Sequence, residues 1–506
     1  MGDKIQLIDT TTRDGSQSNW AAGMPVGMMD KIMEDLDKVG YRALDIPFMP
    51  LQFKKIVRDL KEDPWEMIKM IGRKAPNTVK GSMLGPGLRM FDTGGNNREA
   101  VALFLKLLAD YGVLQRVQLM SNMSNTTPAS KWFIDYTREL GAEIVYGVCY
   151  YMGTTRHTDE FYARKTRDGV ALGADVIYLK DAGGLLDVGS VRNVMSIMRD
   201  NAGGIPLEIH SHCTAGMADL VYAEALKVGC RAFHVGIPPL AEGTAQPSVF
   251  TMAENARALG YDVDLDLERA EYVSGRIYDM AKEEGLPTDF GPNRYRVAQY
   301  IHRIPGGVIS NMTHQLRELR LQDRVDEVVD ECIRICAETG EPHMITPYSQ
   351  FVCTQAAINI AMGERYKIVI DDFIAYALGA YGEESGYLDM DQDLKDRFVA
   401  MPRAKELAAI AKNSEVERDM PLKELRNQYG AQLSDEEFLL RYMVKNVEEI
   451  ETMRRATAIR PFHTYSGAGS PLLEIIDTLS RQPATTQVQV KLQDKSLTLL
   501  KGGQES

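Results

Sequence analysis

DVIYLKD (175–181), PLEIHSH (206–212) and RAFHVGI (231–237) are three β-type runs in succession, and ADLVYAEALKVGC (218–230), between the last two, has helical spacing. Short apolar runs of this kind read as strands buried on both faces, and strand–helix–strand alternation specifies parallel pairing. The same alternation extends back to the N-terminus through IQLID (5–9), RALDIP (42–47), VKGSML (79–84), RVQLMS (116–121) and AEIVYGVCY (142–150). Each interval holds one helix-period segment, such as MDKIMEDLDKVG (29–40), and several end in Gly, a common helix stop. Eight such units predict a TIM (β/α)8 barrel, because eight is the number that closes. An open doubly wound sheet is the alternative, but no GxGxxG follows the first strand.

Beyond about residue 255 the pattern changes to helices: LDLERAEYVSGRIYDMAKEEG, RVDEVVDECIRICAETG and FLLRYMVKNVEEIETMRRA. PGG (305–307) and ITPYSQ (345–350) lie between them as loops with turn chemistry. The tail TTQVQVKLQDKSLTLLKG (485–502) alternates polar and apolar, which suits a strand or small hairpin. The expected division is a barrel domain over 1–300, a mostly helical domain over 301–480 packed on one end of it, and a strand-like tail over 481–506. The charge-rich stretch 412–436 reads as a looser connection.

The 506 residues carry 58 Lys+Arg against 71 Asp+Glu, a net charge of −13, which suits neither a nucleic-acid backbone nor an anionic membrane surface. Apolar residues make up 44%, enough for large cores, so disorder is excluded as the main state. Six Cys without a CxxC read as reduced thiols. The N-terminus has no signal-peptide core, and no run approaches the ~18 apolar residues of a membrane span. A cytoplasmic protein is expected.

Active sites of such barrels lie at the carboxyl ends of the strands. There, His210-x-His212 places two imidazoles on one face of strand 7, since residues i and i+2 of a strand point the same way. With Asp14 at the end of strand 1, they form a mixed N/O set for Zn2+, Mn2+, Co2+ or Fe2+. The plain alternative is two histidines that happen to alternate. Lys180, at the end of strand 6, admits three readings. It pairs with Asp181, which sequence physics alone favours; it is a Schiff-base lysine of lowered pKa; or its neutral amine takes up CO2 to form a carbamate ligand.

DTTTRDGSQS (9–18) resembles the opening motif, DTTLRDxHQS, of the carboxyltransferase domain of biotin-dependent enzymes, the family of pyruvate carboxylase, the oxaloacetate decarboxylase α subunit and the large central subunit of transcarboxylase. The resemblance continues through EDPWE (62–66), PNT (76–78), LKDAGGLL (179–186), IHSHCTAG (209–216), IPGGVISNM (304–312), ITPYSQFVCTQAAIN (345–359) and GERYK (363–367). It implies that Asp14, His210 and His212 bind a divalent metal, Zn2+ first with Mn2+ or Co2+ as alternatives. It further implies that Lys180 completes the sphere as a carbamylated lysine. Arg13 and Gln17 flank the site and contact substrate, and Thr346 shuttles a proton between the biotin ring nitrogen and the acceptor carbon. Thr346 before Pro347 also suits a helix N-cap.

The chain departs from the family pattern in places. Ser16 stands where the family has His, and IPFMP (46–50) replaces a WGG stretch. Gly85, in SMLGPG (82–87), falls where the family carries an Arg that clamps the acceptor carboxylate. Gly cannot make that charge-assisted fork, and Arg89 is the candidate substitute. The acceptor is therefore pyruvate, oxaloacetate, another 2-oxo acid or a different enolisable carbonyl compound. No MKM biotinylation tripeptide and no Gly-rich ATP-binding segment is present; MIKM (67–70) lies in a helical run. The resemblance thus implies one subunit of a split system, with carboxybiotin delivered by a biotin carboxyl carrier protein and loaded by a biotin carboxylase subunit, and a homodimer or higher assembly. Two other readings stand beside it: a metal-dependent aldolase-like lyase or acyl-condensing enzyme without biotin, and a non-catalytic scaffold subunit.

Overall fold

A computed structural model describes residues 3–88, 96–120, 128–291, 293–306, 308–309, 312, 316, 322–345, 347–456, 462, 487–492 and 495–500. Eight parallel strands close into a barrel: β1 Gln6–Asp9, β2 Ala43–Asp45, β3 Val79–Met83, β4 Arg116–Met120, β5 Glu143–Cys149, β6 Val176–Asp181, β7 Leu207–Ser211 and β8 Ala232–Val235. β8 returns to β1, pairing Gln6 with Ala232 and Asp9 with Val235. Each strand falls inside one of the eight predicted runs. The strands are buried over nearly their whole length, which is why they read as apolar runs.

Helices between the strands cover the outside. Val26–Leu36 buries Met28, Met29, Ile32, Met33 and Leu36, a helical stripe facing the sheet. Pro64–Lys74 starts with Asp63, whose side chain accepts from the Trp65 N–H, and with Pro64 in its first turn. Trp65 is fully buried against Phe53 and Phe104, edge-on at 5.1 and 5.7 Å between ring centroids.

The helical part of the chain packs in two places. Residues Ile304 to Phe398 form a second core, built on Val325–Glu338 and Tyr348–Met362. The later helices Leu422–Tyr429, Asp435–Val444 and Val447–Arg455 return to the barrel, and Leu425, Phe438, Tyr442 and Ile450 join its main core. Trp65 Nε1 donates to the Glu436 carbonyl at 3.0 Å, and Asn97 Nδ2 donates to the carbonyls of Glu417 and Met420. Residues 412–436, expected as a loose connection, are mostly helical, and Leu425 is fully buried. Charge on the outer face hid the apolar stripe. The tail strands β9 Gln487–Leu492 and β10 Lys495–Leu500 form an antiparallel hairpin.

The barrel rim is tied to the second core by charged groups. Arg156 donates to the carbonyls of Gly340 and Glu341, and Arg303 bridges the Met152 carbonyl and Glu341. Beside them His157 Nε2 lies 3.0 Å from His343 Nε2, both rings packed on Tyr151. Burial, then Arg156 and Lys165, push His157 down to about 3, and burial with the same cations and His157 holds His343 well below its usual range. The folded state keeps both rings neutral. Below the ordinary histidine pKa the unfolded chain takes up protons that the folded chain refuses, so stability present above about pH 6.5 is lost as pH falls toward 3. Lowering pH from about 7 to about 5 is expected to lower the urea midpoint of the native chain more than that of His157→Gln, read by circular dichroism.

Candidate active site

β1 leads into a π-helical turn, Thr11–Gly15, that carries Asp14 inward. The turn is pinned to β8's exit: Thr10 Oγ1 donates to the Val235 carbonyl at 2.9 Å, and the Ile237 N–H donates to Thr11 Oγ1 at 2.8 Å. Gly15 is required by close approach, since a Cβ there would stand 2.3 Å from the Leu240 carbonyl oxygen. His210 lies in β7 and His212 just beyond it in extended backbone, so both rings point the same way.

These elements bring three ligand atoms together at the carboxyl rim. His210 Nε2 and His212 Nε2 are 3.1 Å apart, and Asp14 Oδ2 is 3.0 Å from the first and 3.7 Å from the second. All three residues are buried, and Asp14 Oδ2 has no hydrogen-bond partner. Ligands at ~2.05 Å from a tetrahedral ion lie about 3.3 Å from one another, which matches this spacing.

The hydrogen bonds behind the rings set their tautomers. His212 Nδ1 donates to the Thr244 carbonyl at 2.6 Å, leaving a bare lone pair on Nε2. His210 Nδ1 lies 3.1 Å from His234 Nδ1, and His234 Nε2 lies 3.3 Å from Glu208 Oε2. Ionised Glu208, held down to about 2 despite burial by Arg116 and His234, takes the proton of His234 Nε2. His234 Nδ1 is then an acceptor, His210 Nδ1 a donor, and His210 Nε2 is bare as well. The Gln246 amide reaches both bare nitrogens at 3.2 and 3.1 Å, with its own carbonyl accepting from Thr10 Oγ1 at 2.7 Å. Two ring lone pairs and a carboxylate oxygen converge with the Gln246 amide facing the rings, and a cation among them offsets the remaining repulsion between lone pairs and carboxylate. The residues present fit a divalent metal.

The chain His210–His234–Glu208–Arg116–Glu143 runs down the barrel interior, with Arg116 Nη1 2.9 Å from Glu143. Such partners orient metal-binding imidazoles. His234→Phe is expected to weaken Zn2+ affinity by about 10–100-fold, measured by competition with a chromophoric chelator.

Lys180 lies on β6 directly beside His210 of β7, in register, and is 8% exposed. It does not pair with Asp181, the partner that sequence physics favoured. Successive strand residues point to opposite faces, and Asp181 accepts instead from the Leu185 and Leu186 N–H groups and from Ser211 Oγ. Among the described residues Lys180 Nζ meets only Met83 Sδ, at 4.0 Å, and burial with the Arg13 charge pushes its pKa down. Arg13 is buried, its guanidinium on Asp45 and 3.2 Å from Asp14 Oδ2, so it braces the carboxylate from behind. Gln17 follows one turn after Asp14, with Oε1 buried and without a partner. Gly85 is buried, and a Cβ there would meet only Leu119 Cδ1, at 3.8 Å. Thr346 and Arg89 lie outside the described residues. Sequence reading missed Gln246, His234 and Glu208. The signal available was Glu208 two residues before His210, on the same strand face.

The fold and the cluster define a (β/α)8 barrel with a candidate metal centre at its carboxyl rim. Residues 300–497 match the conserved carboxylase domain, and residues 112–276 match the HMGL-like family. The chain is 29% identical over 383 residues to a pyruvate carboxylase subunit of Methanocaldococcus jannaschii, covering 75% of this chain and 66% of that one. It is 26% identical over 441 residues to the 2-oxoglutarate carboxylase large subunit of Hydrogenobacter thermophilus, covering 86% and 66%. The chain thus spans just under two thirds of these relatives' length. The carboxyl transferase domain of Rhizobium etli pyruvate carboxylase, solved with 3-bromopyruvate, shares the fold with a TM-score of 0.75 at 20% identity, covering 89% of this chain and 77% of that one. Over most of its length the chain is thus similar to the carboxylase subunits and carboxyl transferase domains of this group.

Proposed function

We propose that this chain is a carboxyltransferase that moves a carboxyl group between carboxybiotin and an enolisable acceptor, a 2-oxo acid such as pyruvate or oxaloacetate or a variant of these. The observation that carries the reading is the convergence of bare His210 Nε2, His212 Nε2 and Asp14 Oδ2 at the rim, with buried Lys180 alongside. A divalent cation held there, Zn2+ first and Mn2+ or Co2+ otherwise, supplies a Lewis acid for the acceptor's carbonyl oxygen. Carboxybiotin arrives on a biotin carboxyl carrier protein charged by a biotin carboxylase subunit, and the chain works in the cytoplasm as a homodimer or larger assembly.

The chain's own residues do the rest. Asp14, His210 and His212 hold the cation, and Arg13, fixed by Asp45, keeps Asp14 aimed at it. The Lys180 amine, whose pKa burial pushes down, would attack the carbon of CO2; an N–C bond would form as one C=O π bond opens onto oxygen, the nitrogen's proton would pass to solvent, and the carbamate would join Asp14, His210 and His212 in holding the cation. Gln17 contacts the acceptor from the first turn beyond Asp14. Thr346 carries a proton between the acceptor carbon and the biotin ring nitrogen. On this reading residues 1–300 supply the cation site, 301–480 cover it against water, and 481–506 lead toward the carrier.

A lyase or acyl-condensing reaction without biotin is the second reading, favoured by the HMGL-like match over 112–276. The test is to supply carboxybiotin or a carboxylated carrier with a panel of oxo acids and acyl compounds, and to identify the product by mass spectrometry. A carboxylated oxo acid supports the proposal; cleavage or condensation of substrates with no need for biotin supports the second reading.

A further inference from the structure

Helix Pro50–Lys55 with its π-helical continuation Ile56–Leu60 faces helix Tyr348–Met362 across a cavity of about 300 Å3. Gln17 forms part of its wall, so the cavity borders the cluster around Asp14. Lys54, Lys55 and Arg58 line it, and among the described residues no carboxylate does. In a chain of net charge −13, Lys54, Lys55 and Arg58 gather around one small cavity, with the Arg58 guanidinium on Asp59 at 2.6 and 3.0 Å. Gln52 adds a donor: it is 3% exposed, its Oε1 accepts from the Met49 N–H at 3.3 Å, and its Nε2 is buried without a partner. Burial lowers the Lys55 pKa, and Arg58 lowers it further against the pull of Asp59. An anion between these groups satisfies the orphaned amide and meets the lysine ammonium groups.

We propose that this cavity holds a second acidic group of the acceptor, and that the acceptor is a dicarboxylic 2-oxo acid rather than a monocarboxylic one. The proposal rests on the carboxyltransferase reading above. Among the described residues no guanidinium stands at the clamp position, where Gly85 lies, and Lys54, Lys55 and Arg58 offer an acceptor with two carboxylates a second anchor. A phosphate would meet the same cations. The volume, at the lower end for ligand sites, fits a five-carbon acid, and among the described residues no aromatic side chain lines the cavity for a nucleotide base to stack on.

The test is calorimetric titration of the full chain with 2-oxoglutarate, pyruvate and propionyl-CoA, in the absence of biotin. 2-Oxoglutarate is expected to bind about tenfold or more tightly than pyruvate, and the Lys54→Gln/Lys55→Gln chain to lose that preference while pyruvate binding is unchanged. Circular dichroism checks the fold; if the double variant fails to fold, Arg58→Gln, an exposed position, carries the same comparison. Equal binding of the two acids, a preference that survives the substitutions, or tighter binding of propionyl-CoA overturns the proposal. Selective binding of 2-oxoglutarate without any carboxyl transfer upholds the cavity assignment and defeats the carboxyltransferase reading instead.

Discussion

Lys180→Ala abolishes carboxyl transfer. On the proposed function the expected loss is about a thousandfold or more, because the substitution would remove a ligand and leave the cation site open on the side facing β6. Lys180 is buried beside His210 with no carboxylate within hydrogen-bond reach, so its amine has no structural ion pair to maintain. Truncation therefore removes chemistry and little stability. The side chain already lacks strong partners, and burying an ammonium there is itself costly. Lys180→Glu, which brings a carboxylate on a shorter stem, is expected to restore part of the metal binding. Thr346→Ala tests the proton carrier in the same assay, with an expected loss of about 100–10,000-fold and metal content unchanged. A biotin-free lyase predicts a mild effect of both alanine variants. Rates with carboxybiotin and metal content of each variant separate the two readings.

Asp14→Ala is expected to remove the proposed cation altogether. Asp14 is the one carboxylate in the cluster, held well below its ordinary range, against the cost of burial, by Arg13. Without it, Arg13 keeps only Asp45 as a counter-ion, and two neutral rings face a buried guanidinium. That reverses the local field from one that attracts a cation to one that repels it. Zn2+ affinity is expected to fall about 1,000-fold or more, beyond the effect of His234→Phe, because a ligand and a counter-charge are lost together. Asp14→Asn keeps the shape and removes the charge, so it should bind metal nearly as poorly. Equal metal content in the native and Asp14→Asn chains would place the cation elsewhere.

The eight strands were legible because a parallel barrel strand is buried on both faces, and its run of apolar residues needs no partner to be recognised. The period of a strand likewise paired His210 with His212. It should also have separated Lys180 from Asp181, which are consecutive and point to opposite sides of β6, but chemical complementarity suggested a pair that geometry forbids. Glu208, His234 and Gln246 were hidden for another reason. Their meeting depends on how β7, β8 and the segment after β8 lie against one another, and no local spacing encodes that. Helix periodicity found the amphipathic segments near residue 440 without saying which core they cover; Phe438 and Tyr442 face the barrel. The cationic cavity joins residues 50–58 to residues 350–354 and exists only in three dimensions.

The most direct measurement is a crystal structure of CO2-equilibrated protein, with anomalous diffraction collected at the absorption edge of the bound metal. The account predicts a single strong peak within about 2.0–2.2 Å of Asp14 Oδ2, both Nε2 atoms and an oxygen attached to Lys180 Nζ. A peak away from these residues, or an unmodified Lys180 turned from the imidazoles, would contradict it.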